Sequence, residues 1–489
     1  MVNSQTHHTR WLLPVLLAVQ FLVSLDMSVV NVALPAIGRG LGFGPDSLTW
    51  VVNAYALTFG GLLMLGGRLA DVIGRRRVLV AGFVVFGAAS LAGGCAQTPG
   101  ELIAARAAQG LGAAALAPVA LTLVTVNFPA GPARSRALGL WGAAGAVGAA
   151  VGVLAGGLLT DWAGWRAVML VNVPFVLAVL AVVRRAVPAD HPTGPRTRLD
   201  LAGALLVTAG TTALVLGLVR TGTYGWTDWR TTGVLAAAAL LLAAFAVTET
   251  RVRRPLLRLG LLTRGPILAA NVFSLLMTAG QFGAFYFTSL YLQQVVGYGP
   301  TATGSCFLPF CAGLVAGSVL ATRTVARFGP RALLVTGGLL AAAGLGWFSL
   351  AAGAHGSFLS VVLGPSIVAS IGIGLCFVPL GTAATTGVAA EETGMASGLL
   401  NSSRQIGGAL GLAVLATVAT HASGPGTAGL VDGFTAAYRV AALLLFGAAV
   451  LAAVLHGKGT RPAKTRRRKK SWGNSGACVD PAALRSTHG

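Results

Sequence analysis

Asp26 and Arg106 are the side chains whose type and surroundings point most directly to chemistry. Asp26 is the sole ionisable residue from Trp11 to Ile37, in WLLPVLLAVQFLVSLDMSVVNVALPAI. That stretch is long enough to cross a bilayer, which takes roughly 20 residues. A bare carboxylate at such depth is expensive to bury, so it must meet water in a cavity, meet a partner, or take up a proton. Arg106 lies inside a second apolar stretch, ELIAARAAQGLGAAALAP, with Gln109 and Gly110 following within about one turn. An arginine there faces protein or water and is a candidate partner for Asp26. For each residue two readings stand: proton exchange between the faces of a membrane, or a structural tie between helices.

The elements that must position these residues follow from composition and apolar run length. The chain has 489 residues, 55% hydrophobic and only 10% charged. A soluble protein would be nearer a quarter charged, so this is a polytopic membrane protein. Its 68 glycines suit close helix contacts in lipid. The net charge of +22 does not indicate nucleic acid, because the basic residues fall between apolar segments and in a tail whose densest run lies between Arg461 and Lys470. Cys95, Cys306, Cys311, Cys376 and Cys478 have no zinc-site spacing, and the histidines sit at termini, loops and segment ends. No metal and no cofactor is expected. No phosphate-binding GxxxxGK[ST] loop occurs, so direct ATP drive is set aside.

Apolar runs of spanning length lie near 11–35, 48–70, 78–98, 101–127, 137–160, 166–184, 199–219, 232–250, 264–292, 302–323, 331–353, 357–385, 401–420 and 435–456. Fourteen crossings put both termini on one side. The even-numbered connections are basic, with Arg68 and Arg75 to Arg77, Arg134 and Arg136, Arg184 and Arg185, Arg251 to Arg258, and Arg323 to Arg331. The odd-numbered ones are nearly charge-balanced, which predicts cytoplasmic termini. The expected organisation is a cytoplasmic N-terminus at 1–10, an N-terminal six-helix bundle at 11–184 and a cytoplasmic linker at 185–198. Inserted helices 7 and 8 follow at 199–250, then a C-terminal six-helix bundle at 251–456 and a basic cytoplasmic tail at 457–489. An internal echo supports two related halves: RLADVIGRRRVLV and TVARFGPRALLV align Gly74 with Gly329 and Arg76 with Arg331. Such halves, meeting at mid-membrane, are what alternating access requires.

Two further patterns have both a structural and a functional reading. In GGRLADVIGRRRVL, Gly67, Asp71, Gly74, Arg75, Arg76 and Arg77 crowd a tight turn, either as topology-setting charge or as a latch that breaks when the halves rock. In segment 5, Gly148, Gly152 and Gly156 recur every four residues with Gly157 beside the last, leaving one helix face nearly bare. That face either packs closely or also slides.

Together these stretches resemble the major facilitator superfamily, specifically its fourteen-helix drug:proton antiporter branch. Leu25 to Pro35 is similar to the branch's first-helix signature, with Asp26 at the acidic position. Gly67 to Leu79 is similar to the loop between helices 2 and 3, and Arg106, Gln109 and Gly110 match the helix 4 motif. GWRAVMLVNVP, SLYLQQVVGYGP and Ala396 to Gly411 also resemble the branch. One departure is Val153, where the helix 5 motif carries proline after Gly152. The resemblance implies an all-α major facilitator fold, two six-helix bundles plus a central two-helix insertion, acting as a monomer without an obligatory protein partner. It implies a transporter and not an enzyme: export of a small amphipathic or hydrophobic molecule against inward proton movement across the cell membrane, with proton symport as the alternative. Helices 1, 2, 4, 5 and their counterparts are expected to line the cavity, with Gln20, Asn31, Asn53, Tyr55, Gln109, Gln281, Tyr286 and Gln293 as polar contributors. Protons, the substrate and membrane lipid are the only partners implied.

Overall fold

A computed structural model describes residues 3–128, 131–188, 199–252, 255–353, 356–386, 388 and 392–455. Spanning helices form wherever apolar runs leave backbone N–H and C=O groups no partner in lipid except each other. They are α1 (Trp11–Leu41), α2 (Trp50–Ile73), α3 (Arg75–Cys95), α4 (Pro99–Asn127), α5 (Pro132–Ala163), α6 (Trp165–Ala186), α7 (Leu201–Tyr224), α8 (Trp229–Arg251), α9 (Gly265–Val295), α12 (Phe358–Thr385), α13 (Thr393–Ala422) and α14 (Gly426–Val454). The remaining helical run, Pro300–Ala351, has 52 residues. It is too long for one crossing and breaks at Gly329, whose φ of 78° and ψ of 162° are not helical. Its arms, 300–328 and 330–351, are α10 and α11. The described residues therefore give fourteen crossings.

The breaks are chemical. Gly74 is the single residue between α2 and α3, with φ of 99°, a left-handed value that a side chain would resist. Gly329 does the same between α10 and α11, so the aligned glycines of the internal echo share one backbone role. Elsewhere side chains cap the helices. Thr98 Oγ1 accepts the Glu101 N–H at 3.3 Å, and the Glu101 carboxylate accepts the Gln97 N–H at 2.7 Å. Asp200 starts α7 by accepting from the Gly203 N–H at 2.8 Å, and Asp228 starts α8 by accepting from the Arg230 N–H at 2.7 Å. Several helices outrun the apolar runs: α5 begins at Pro132, α13 at Thr393 and α14 at Gly426. Apolar length marks the lipid-facing part, whereas a helix continues until something replaces its backbone bonds. Most of the 185–198 linker, the tail at 457–489 and the side chains of 3–10 lie outside the described residues.

Residues of α1 belong to two cores. Leu12, Leu16, Val19 and Leu22 pack in a cluster made by the first six helices. Leu25, Val29, Val30, Ala33, Leu34 and Ile37, beyond Asp26, join a cluster that extends into α9, α11, α12 and α14. The two sets of six are therefore pressed together at the end of the bundle remote from the termini. There Ser289 donates to the Asn31 carbonyl at 3.0 Å, Gln293 to the Val32 carbonyl at 2.9 Å, and the Thr301 N–H to Asp161 at 2.9 Å. At the opposite end, Leu138, Gly139, Leu140, Gly142 and Ala143 of α5 are all exposed, on more faces than lipid alone would meet. The two sets are closed against each other at the far end, whereas this stretch of α5 is exposed at the other. The inserted α7 packs on α2 and α13, along the seam between the sets, and α8 lies against α7.

Candidate functional site

Asp26 is fully buried where α1 crosses α4, beside α2, α3 and α6. Arg106 Nη1 donates to its Oδ2 at 2.6 Å. The other carboxylate oxygen, Oδ1, accepts from Asn172 Nδ2 at 2.8 Å and from Gln109 Nε2 at 3.2 Å. Arg106 is held in turn: Nε donates to the Val51 carbonyl at 2.9 Å, Nη1 to Gln109 Oε1 at 2.8 Å, and the guanidinium lies 4.5 Å from the centroid of the Tyr55 ring. Gln109 closes the network by donating to Ser90 Oγ at 2.7 Å. One buried carboxylate thus collects charge-assisted bonds from α4 and α6, while the cation is tethered to α2. The Asn53 amide and the Tyr55 hydroxyl, buried nearby on α2, have no hydrogen-bond partner among the described residues.

The helix that carries Asp26 rests on a bare surface. A Cβ added to Gly148 would come within 2.5 Å of the Phe21 carbonyl, one on Gly152 within 2.8 Å of the Leu25 carbonyl, and one on Gly156 within 2.5 Å of the Val29 carbonyl. The glycine spacing of α5 therefore matches α1 backbone positions four apart on both sides of Asp26. Gly157 meets α10 instead, with 2.5 Å from its added Cβ to the Pro300 carbonyl. Val153, in the place of the branch's proline, is buried with Val32, Phe307 and Cys311, so it fills the far-end seam. Gly110 seats α4 on α2 at the Tyr55 carbonyl, 2.5 Å from its added Cβ.

The cavity candidates separate by position. Gln20, Asn31, Gln281 and Gln293 are half-buried. Asn31 donates to its own helix at Met27, 2.7 Å, and Gln293 is engaged in closing the far end. Asn53 and Tyr55 are buried beside the ion pair, and the Tyr286 ring is buried edge-on to Phe287 at 5.2 Å. In the turn after α2, Asp71 and Arg77 are exposed and Arg75 and Arg76 half-buried. Gly67 makes ordinary contact with Pro118, 3.6 Å from an added Cβ. Ion pairs join Arg106 to Asp26, and Arg258 and Arg264 to Glu392; among the described residues none joins Asp71 to Arg76 or Arg77. Arg68 instead reaches the Pro255 carbonyl, tying the turn to the connection after α8.

Reading the sequence missed Asn172 and Ser90, each a single neutral polar residue in an apolar helix. Their signal was their isolation, which does not say which face they occupy. It also passed over Arg404, near the middle of α13, a charge as isolated as Arg106.

The Major Facilitator Superfamily description matches residues 16–412. The chain is 43% identical over 454 residues to the puromycin resistance protein of Streptomyces alboniger, covering 91% of this chain and 90% of that one. It is 43% identical over 439 residues to the cephamycin export protein of Amycolatopsis lactamdurans, covering 89% and 90%. With the lincomycin resistance protein of Streptomyces lincolnensis the identity is 35% over 462 residues, 94% of each. A crystal structure of a peptide transporter POT in complex with sulfate superposes with a TM-score of 0.65 over 93% of this chain and 98% of that one; at 17% identity it shares the fold alone. Fourteen apolar helices, a far-end closure between two sets of six, and these matches agree: the chain is a transporter, not an enzyme, and belongs to the Major Facilitator Superfamily.

Proposed function

We propose that this protein exports an amphipathic small molecule of the antibiotic or drug class in exchange for protons, as a monomer with both termini in the cytoplasm. The observation that carries the proposal is the buried Asp26–Arg106 pair, set where α1 meets the glycine face of α5. Names of relatives that confer antibiotic resistance or export point to the substrate class.

The cycle follows from charge. With Asp26 ionised, its bonds to Arg106, Gln109 and Asn172 fasten α1 to α4 and α6. A proton on Asp26 removes the charge from the pair and turns one acceptor oxygen into a donor, so its bonds to Arg106, Gln109 and Asn172 weaken, while Arg106 keeps the Val51 carbonyl and Gln109 oxygen. Substrate binding to the ionised form drives the far-end bonds of Asn31 and Val32 open. A proton then taken up from outside loosens the tie, α1 shifts back along the backbone-smooth face of α5, the far end closes, and Asp26 releases the proton on the termini side. Asn53 and Tyr55 supply polar groups along the proton's route. Asp71, Gly74 and Arg75 to Arg77 act as the cytoplasmic latch, engaging when the termini side closes. Each inward proton contributes about 2.3 kcal/mol per 100 mV of membrane potential.

Direction is tested in inverted membrane vesicles, whose interior corresponds to the cell exterior. Export predicts uptake into vesicles energised by respiration, abolished by a protonophore; proton symport predicts exclusion from them. Asp71→Asn should slow that uptake without lowering equilibrium substrate binding. Orientation is tested by single cysteines in a cysteine-free background. A cysteine at Thr223 should label in intact cells and one at Thr193 only after permeabilisation; the reverse pattern would invert the topology.

A further inference from the structure

Arg404 stands near the middle of α13, half-buried, with its guanidinium 4.4 Å from the centroid of the Phe377 ring on α12. Among the described residues it makes no hydrogen bond and no ion pair. The neighbouring positions of α13 are committed elsewhere. Ser403 donates to Asn271 Oδ1 of α9 at 2.9 Å, and Gln405 sits against Gly60 of α2 with its amide 4.0 Å from the Met27 sulfur of α1. Arg404 takes the remaining direction, towards α12 of its own half, one residue before the Gln405 that meets α1 and α2 of the other half.

A guanidinium at mid-membrane depth is too costly to face lipid, and the middle of a helix is too far from either surface for the side chain to reach a headgroup. Its partial exposure is therefore to an aqueous space inside the bundle and not to lipid. Arg106 is neutralised by Asp26, whereas Arg404 has a ring face on one side and no anion on the other. A half-buried guanidinium without a counter-charge gains from meeting an anion, and an arginine fork matches a carboxylate in a way that few other groups do.

We propose that Arg404 is an anion subsite of the transport cavity: it pairs with a carboxylate or similar oxyanion on the substrate, while Phe377 and Met27 contact the substrate's apolar body. The subsite deepens, and rests on, the reading of this chain as an exporter. It favours amphipathic anions and zwitterions, and it disfavours dications, which would meet a fixed positive charge with no free carboxylate beside it.

The test uses purified protein in lipid nanodiscs and two fluorescent probes with one skeleton, dansyl-phenylalanine and its neutral amide. Wild type should bind the acid about tenfold more tightly than the amide, as a charge-assisted pair at a desolvated site allows. Arg404→Gln should bring the two affinities together, and Arg404→Lys should keep a smaller preference, since an ammonium lacks the bidentate fork. Equal affinities in wild type, binding of neither probe, or a preference that survives in Arg404→Gln would overturn the subsite. If Arg404→Gln does not fold, Arg404→Lys carries the test, and a preference undiminished from wild type in that variant would overturn the subsite. Because binding needs no gradient, an Arg404-dependent preference without gradient-driven uptake of the acid into inverted vesicles would keep the subsite and refute the exporter reading.

Discussion

Arg106→Gln should give a protein with little folded material at neutral pH and transport reduced by at least about a hundredfold. The reason is the burial of Asp26, whose carboxylate lies with no exposed surface and whose charge, among the described residues, is met by Arg106. Gln109 and Asn172 offer dipoles, not a counter-charge. Breaking a buried pair by removing one member costs about 3–5 kcal/mol, more than the pair itself contributes to stability, because the other charge stays behind. The Tyr55 ring also loses its cation, and the Val51 carbonyl its donor. The double variant Asp26→Asn/Arg106→Gln removes both charges and should recover most of the thermal stability, while remaining inactive as a proton-coupled transporter. Melting curves in detergent for wild type, both single variants and the double variant complete the cycle. A single Arg106→Gln variant that melts with the wild type would show that Asp26 is not held as a buried anion.

Much of this arrangement was legible in the sequence, for a physical reason. Bilayer thickness sets a minimum apolar length, so the crossings could be counted, and the alternation of basic connections gave a second, independent reading of the same count. Isolated charges in apolar runs were legible for the same cause: the cost of burying Asp26 or Arg106 is so high that each had to be satisfied, and they satisfy each other. Gly74 and Gly329 were legible through the internal echo, and both take a left-handed φ.

What escaped depends on which way a side chain faces. Asn172 and Ser90 complete the Asp26 network, yet a lone Asn or Ser costs little enough in a helix that it demands no partner, so sequence leaves its face open. Of the polar residues expected around the cavity, Tyr55 lies under a guanidinium, and Gln293 closes the far end. Their chemistry is unchanged by the three-dimensional arrangement; their neighbours are what the sequence could not supply. Arg404 carried the same signal as Arg106, an arginine inside an apolar helix, but no nearby carboxylate in the sequence drew attention to it. Helix ends differed because capping by residues such as Asp200 and Asp228, and not apolarity, decides where a helix starts.

The most direct test of the central claim, that Asp26 carries the coupling proton, is Asp26→Asn in proteoliposomes. Asparagine keeps the size of the side chain and can still accept from Arg106, Gln109 or Asn172, so the variant should insert, and it leaves Arg106 in contact with the Val51 carbonyl and the Gln109 oxygen. It cannot take up and release a proton. Two quantities are measured on the same vesicles: proton flux on substrate addition, read by a trapped pH dye, and substrate exchange with no imposed gradient. Substrate-coupled proton flux in the variant should fall to the level of empty liposomes, and gradient-driven accumulation should vanish, while exchange persists at a measurable rate. Proton flux at the wild-type ratio to substrate would contradict the account, and Asp26 would then be a structural tie between α1, α4 and α6.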